Sequence, residues 1–131
     1  LNNAPRVYII TDRHATGGRP LVDVVRAALA AAPPGLVAVQ LREKDLEGGA
    51  LTALARELRA VTADAGAALY VNDRIDVALA IGADGVHLGG RSLSADDVTR
   101  VAPGLDVGIS AHALDEIARA AAANPRLRFA V

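Results

Sequence analysis

Polar residues suited to a phosphorylated ligand recur at alternate positions in Gln40-Leu41-Arg42-Glu43-Lys44. In an extended strand, side chains alternate between faces, so Gln40, Arg42 and Lys44 point one way while Leu41 points the other. If Leu41 packs against helices, the other three face the opposite side. A glutamine there offers a neutral donor and acceptor. Arginine offers a planar fork and lysine a point charge for phosphate oxygens. The plainer alternative is a solvated charge run at a strand end. Lys44 is the single lysine among fourteen basic residues, a mild sign that an ammonium is wanted there.

Four further places carry groups of possible chemical use. The same parity brings Ser110 and His112 together, and an imidazole that titrates near neutrality can act as an acid or a base. Asn72 can orient a substrate ring, and Asp73 can bind a cation or a protonated group. Either is equally an ordinary cap for the helix that follows. Gly89-Gly90 admits a ligand close to the backbone or simply makes a tight turn. His87, flanked by Val86 and Leu88 inside an apolar run, reads as structural. His14, in a Gly-rich loop, is uninformative.

The elements that must position these groups alternate along the chain. Strands are predicted at residues 7–11, 36–41, 68–71, 85–88, 107–110 and 127–131, most of them unbroken aliphatic runs suited to a parallel sheet covered on its faces. Between them, Leu51, Leu54, Leu58 and Val61 recur at three and four residues and form one helical stripe. Leu21, Val24, Val25, Ala28 and Leu29 form another. Ser94 with Asp97 predicts a capping box. Pro33-Pro34-Gly35, Gly82 and Asn124-Pro125 mark helix ends.

Strand–helix alternation implies a parallel α/β fold in one domain over residues 1–131. A doubly wound sheet fits the length, whereas a (β/α)8 barrel usually takes about 250 residues. The polar residues favour the barrel. They follow directly on strand after strand, as Thr11-Asp12-Arg13, Arg42-Glu43-Lys44, Asn72-Asp73-Arg74, Gly89-Gly90-Arg91-Ser92 and Ser110-Ala111-His112. A barrel gathers such ends into one ring at its C-terminal face. A doubly wound sheet needs them mainly at its switch point. The expected fold is therefore a parallel (β/α)8 TIM barrel, incomplete here, with about six strands present.

Composition excludes several other classes. With 52% hydrophobic residues the chain is no disordered tail, and the net charge of -1 provides no basic field for nucleic acid. The absence of cysteine excludes disulfide frameworks and thiolate metal sites. No apolar run approaches the roughly 18 residues of a membrane span. The opening Leu1-Asn2-Asn3-Ala4-Pro5 does not read as a signal peptide. The expected location is cytoplasmic.

These clusters, in this order, resemble the thiamine phosphate synthase family and its close relative, thiazole tautomerase. The stretches that carry the resemblance include Tyr8-Ile9-Ile10-Thr11-Asp12, Val39-Gln40-Leu41-Arg42-Glu43-Lys44-Asp45 and Val71-Asn72-Asp73-Arg74. Gly82-Ala83-Asp84-Gly85-Val86-His87-Leu88-Gly89 and Gly108-Ile109-Ser110-Ala111-His112 complete them. In a synthase the resemblance implies that Gln40, Arg42 and Lys44 hold a pyrimidine pyrophosphate. Asn72 would contact the pyrimidine and Asp73 would bind Mg²⁺, with Gly89 and Ser110 completing the substrate-binding set. The other substrate is a thiazole phosphate. Association of copies into a homo-oligomer is common among such barrels.

One departure shifts the expectation. Synthases typically carry a second Mg²⁺-binding aspartate in the loop after the fourth strand, where this chain has Ser92 beside Arg91. The Gly-x-Arg-Ser-Leu form resembles the tautomerase, which needs no metal and uses a histidine, matched by His112, to move a proton. The sequence reading therefore favours the tautomerase. A synthase is the alternative, and a non-catalytic thiazole phosphate-binding protein a third. The resemblance also implies an N-terminal two-thirds of a barrel, continuing past Val131 into Gly-rich phosphate loops.

Overall fold

A computed structural model describes residues 4–131; Leu1-Asn2-Asn3, part of the opening read as lacking a signal peptide, lies outside them. Six strands alternate with five helices: β1 (Val7–Ile10), α1 (Leu21–Ala30), β2 (Val37–Leu41), α2 (Gly48–Asp64), β3 (Ala68–Asn72) and α3 (Ile75–Ile81) come first. They are followed by β4 (Gly85–Leu88), α4 (Ala95–Val101), β5 (Asp106–Ile109), α5 (Leu114–Ala123) and β6 (Leu127–Ala130). A short 3₁₀ turn, Arg13–Ala15, follows β1.

All strand pairings are parallel, and the sheet order is β1-β2-β3-β4-β5-β6. A doubly wound sheet must reverse its strand order at a switch point. This order never reverses. Laid flat, five steps of about 4.8 Å would separate β1 from β6 by roughly 24 Å. Instead the rings of Tyr8 on β1 and Phe129 on β6 lie 4.9 Å apart. The Tyr8 hydroxyl also reaches Nδ1 of His87 on β4 at 3.0 Å. The sheet is therefore curled into an incomplete TIM-type barrel.

The two faces of the sheet differ in chemistry. Val37, Val39, Leu41, Leu69, Val71, Val86, Leu88, Val107 and Ile109 face the helices, where they meet Val25, Leu29, Leu58, Val61, Val77 and Val98. The helical stripe Leu51, Leu58 and Val61 is buried as predicted, while Ala28 of the first stripe lies exposed. The concave face holds all three aromatic residues of the chain, Tyr8, Tyr70 and Phe129, around His87. The strands are thus not uniformly aliphatic: polar and aromatic side chains occupy the inside of the curl.

Two glycines make that interior possible. A Cβ on Gly85 would sit 2.4 Å from a ring carbon of Tyr70 and 2.4 Å from the Asp106 carbonyl oxygen. One on Gly108 would sit 2.5 Å from the Phe129 ring. The register between β5 and β6 slips by one residue, pairing Val107 with Leu127 but Gly108 with Phe129. Such a bulge redirects the side chain that follows it. Leu127 accordingly packs on the helix side, while Phe129 joins the interior rings.

Among the described residues, no helix is long and apolar enough to cross a membrane. Helix α5 is the least embedded of the five helices. It has no buried residue, and Leu114 at its start is 85% exposed.

Candidate active site

The end of β2 obeys its strand parity. Leu41 is buried against the helices, and Gln40 is buried on the concave side. There it lies beside the Tyr8 phenol. Burial drives the Tyr8 pKa well above the ordinary phenol value, and Gln40 offsets only part of this. From Tyr8 the polar chain continues to His87 Nδ1, and His87 Nε2 meets Ser110 Oγ at 2.9 Å. A neutral imidazole has one donor and one acceptor nitrogen, which suits two such partners. Burial holds the His87 pKa below its ordinary 6.5, and the Arg42 guanidinium lowers it further. The Arg42 side chain itself is exposed. His87 is structural, as its place inside an apolar run suggests.

The alternate residues of the same segment look the other way. The Glu43 carboxylate is buried, accepting from the Thr11 hydroxyl at 2.7 Å and from the Arg13 backbone N–H at 2.8 Å. Asp45 accepts both guanidinium arms of Arg13, at 2.5 and 2.7 Å, and lies 2.9 Å from His14 Nε2. Arg13, then His14, hold its carboxyl well below the ordinary range. Thr11 Oγ1 in turn accepts from the Arg42 N–H at 3.0 Å. Glu43 and Asp45 thus bind the loop after β2 to the loop after β1. This leaves Lys44 projecting between two fixed points.

The end of β3 is set by an unusual backbone. Asp73 adopts φ 63°, a left-handed conformation that few non-glycine residues other than aspartate and asparagine take. Its N–H donates to the His87 carbonyl at 2.9 Å, extending the β3–β4 ladder by one bond. The cap of α3 is Arg74, without a side-chain hydrogen bond, so neither Asn72 nor Asp73 spends its side chain on capping. After β4, Ser92 closes its loop: its hydroxyl accepts from the Gly89 N–H at 2.9 Å. The capping box of Ser94 and Asp97 forms as predicted.

These loops enclose two adjoining lobes of one cleft at the C-terminal ends of β2, β3 and β4. The lobes, of about 300 and 360 Å³, share Lys44, Asn72, Asp73 and Arg91. Gly89, Gly90 and Ser92 line the second. Of the sequence-predicted residues, Lys44, Asn72, Asp73 and Gly89 come together here. Gln40 lies deeper, beside Tyr8, Ser110 is tied to His87, and Arg42 is exposed and lines neither lobe. His112 is exposed at the foot of α5, its backbone N–H donating to Glu116 Oε2 at 2.8 Å. It lines neither lobe.

The model of the thiamine monophosphate synthase family matches residues 7–127. The chain belongs to that family. It is 47% identical over 116 residues to the thiamine-phosphate synthase of Roseiflexus castenholzii, covering 88% of this chain and 50% of that protein. With the thiamine-phosphate synthase of Methanoregula boonei it shares 44% identity over 116 residues, covering 85% of this chain and 52% of that one. A solved structure of thiamine phosphate pyrophosphorylase from Pyrococcus furiosus superimposes with a TM-score of 0.82 at 35% identity. That match covers 92% of this chain and 56% of the other. The chain spans about half the length of the curated relatives it matches. These relatives bear the synthase name, which lends no support to the preference for a tautomerase.

A family member of the synthase type implies Mg²⁺, and the cleft can be tested for it by its donors. Asp73 is the one carboxylate of the two lobes left without a protein partner among the described residues, since Glu43 is held by Thr11 and Arg13. No group of three or more His, Cys, Asp or Glu able to hold a metal ion occurs among those residues. Lys44 and Arg91 place two cations beside Asp73. Mg²⁺ keeps several waters and is commonly held by one or two carboxylates together with substrate phosphates; here the cleft offers it one free carboxylate, with two unpaired cations lining the same lobes. The donors here do not fit a cation held by the protein itself.

Sequence reasoning understated Glu43, Asp45 and Arg13, which form the frame of the site. The signal was present: the carboxylates alternate with Arg42 and Lys44 and so fall on the opposite face from them. Arg91 was seen only as a departure from the family pattern. The structure places it at the cleft, lining both lobes.

Proposed function

We propose that this chain supplies the pyrimidine-diphosphate side of a thiamine phosphate synthase. The observation that carries the reading is the convergence of Lys44, Asn72, Asp73 and Gly89 on one cleft in a chain whose relatives bear that name. The partners are small molecules, a pyrimidinylmethyl diphosphate and a thiazole phosphate. In the reaction, the bond between the methylene carbon and the diphosphate oxygen breaks, and the diphosphate departs with the electron pair. The thiazole nitrogen then donates its lone pair to that carbon, giving thiamine phosphate.

Each residue has a part suited to its chemistry. Lys44, and Arg42 beside His87, offer positive charge where the leaving diphosphate gains negative charge, and fixed charges in such a place lower the barrier. Asn72 offers an amide to the ring edge, with Gly89 leaving room against the backbone. Gln40 and Ser110, beside Tyr8 and His87, form the floor. The test is a full-chain assay with both substrates, measuring thiamine phosphate and pyrophosphate in equal amounts. Lys44→Ala is expected to lower the rate about 100-fold. Absence of product with both substrates supplied would end the synthase reading.

A second reading rests on the Arg91-Ser92 loop, where no carboxylate stands, and on the exposed His112. It is a thiazole tautomerase that moves one proton of a thiazole phosphate carboxylate. Turnover of that substrate in EDTA, lost in His112→Ala, is its expected signature.

A further inference from the structure

The loop after β4 spends nearly all of its polar groups on itself. Ser92 Oγ takes the Gly89 N–H, and the Ser92 N–H returns a bond to the Gly89 carbonyl at 3.1 Å. Ser94 and Asp97 satisfy each other across the start of α4. Arg91 is the exception. It lines both lobes of the cleft and enters no ion pair or side-chain hydrogen bond among the described residues, while Arg13, Arg59, Arg74, Arg126 and Arg128 all do.

The charged residues that line the two lobes are Lys44, Arg74 and Arg91 against Glu43 and Asp73, a balance of one net positive charge. Arg74 is held by Asp76, and Glu43 is buried under Thr11 and Arg13. Lys44, Arg91 and Asp73 are the lining charges without an ion pair among the described residues. A guanidinium can meet two phosphate oxygens with parallel N–H donors, and an ammonium adds a point charge. A site with that balance attracts an anion by itself and repels a free divalent cation.

We propose that Arg91 takes the place of a protein-bound divalent cation in this cleft. Together with Lys44 it receives the oxygens of a diphosphate directly, so that binding of the anion does not require Mg²⁺. This rests on the reading of the cleft as a diphosphate site, and the disagreement between the donor set and the family's metal is what motivates it. Ser92 belongs to the same device: its hydroxyl closes the loop that presents Arg91.

The experiment titrates inorganic pyrophosphate into the full chain by calorimetry, once in EDTA and once in excess Mg²⁺ at equal ionic strength. Wild type is expected to bind in EDTA with an affinity within about threefold of that in Mg²⁺. Arg91→Ala is expected to lose about tenfold or more in EDTA, the loss of one charge-assisted contact. Arg91→Lys should recover part of it. A double variant, Arg91→Gln with Ser92→Asp, exchanges the cation for a second carboxylate and should bind pyrophosphate only when Mg²⁺ is present. Arg91 is exposed and enters no side-chain hydrogen bond or ion pair among the described residues, so circular dichroism should find these variants folded. Wild type binding pyrophosphate solely in Mg²⁺, or unchanged affinity of Arg91→Ala in EDTA, overturns the inference and leaves the diphosphate reading intact. Failure to bind pyrophosphate in both buffers removes both.

Discussion

Around the mouth of the curl, the ends of β2, β3 and β4 are held quite differently from the end of β5. On the first side, each loop is anchored away from the cleft. Glu43 and Asp45 hold to Thr11, Arg13 and His14, the Asp73 N–H holds to β4, and Ser92 folds its loop onto Gly89. The groups that remain free are those that face the cavity. On the second side, Ser110 is used by His87, His112 stands exposed, and α5 buries no residue. Preorganisation requires that supporting contacts and working groups be separate sets of residues. The first side meets that condition, and the second does not.

The comparison is broken most directly at Glu43. Its carboxylate is buried and serves three donors, so Glu43→Ala leaves the Thr11 hydroxyl and the Arg13 N–H without their acceptor. An orphaned buried donor costs about 1–3 kcal/mol. Equilibrium unfolding in urea should show a loss near the top of that range, about 3 kcal/mol. A loss below about 0.5 kcal/mol, the size of an ordinary surface change, would mean that the loop after β2 is not anchored by this contact.

The interior that joins the two sides has a pH signature. Burial first, then Arg42, depresses the His87 pKa below 6.5 in the folded state. Above pH 6.5 both folded and unfolded chains hold this imidazole neutral, and its contribution to stability is complete. As the pH falls below 6.5, the unfolded chain takes up the proton first, so stability declines with the pH. Unfolding free energy measured from about pH 7.5 down to about pH 5.5 should therefore fall in wild type. His87→Gln should flatten that slope, and Arg42→Ala should shallow it, because it removes the second cause. An equal slope in the His87→Gln variant would show that this histidine does not link the strands as described.

What the sequence reveals follows from how local each cause is. Strand and helix positions come from short-range periodicity, and all six strands lie within a residue or so of where the aliphatic runs put them. The inward facing of Gln40 followed from alternation alone. The barrel over the doubly wound sheet was readable because polar residues end five successive strands, a pattern that suits a common mouth better than a single switch point. The interior was not readable in the same way. The meeting of Tyr8 with Phe129 depends on curvature and on a one-residue slip at Arg128, both of which are long-range outcomes. Capping of α3 by Asn72 or Asp73, one of the two readings their side chains allowed, does not occur. The left-handed turn at Asp73 instead moves the helix start to Arg74. His112 drew attention as a titratable group at a strand end, but alternation past the end of β5 does not place it at the cleft.

The smallest expected effect lies on the loosely held side. Leu114 begins α5 with 85% of its surface exposed, and Ala113 before it caps the helix without a side-chain bond. Removing an apolar side chain that is already in water forfeits almost no burial, so Leu114→Ser should change the unfolding free energy by less than about 0.5 kcal/mol. The serine would also sit near a helix start, where its hydroxyl is tolerated. Urea denaturation of the full chain checks this beside Glu43→Ala under the same conditions. A loss above about 1 kcal/mol would mean that Leu114 is covered in solution, because only a buried leucine carries that much transfer free energy. The β5 side would then be as well supported as the β2 side, and the contrast between them would disappear.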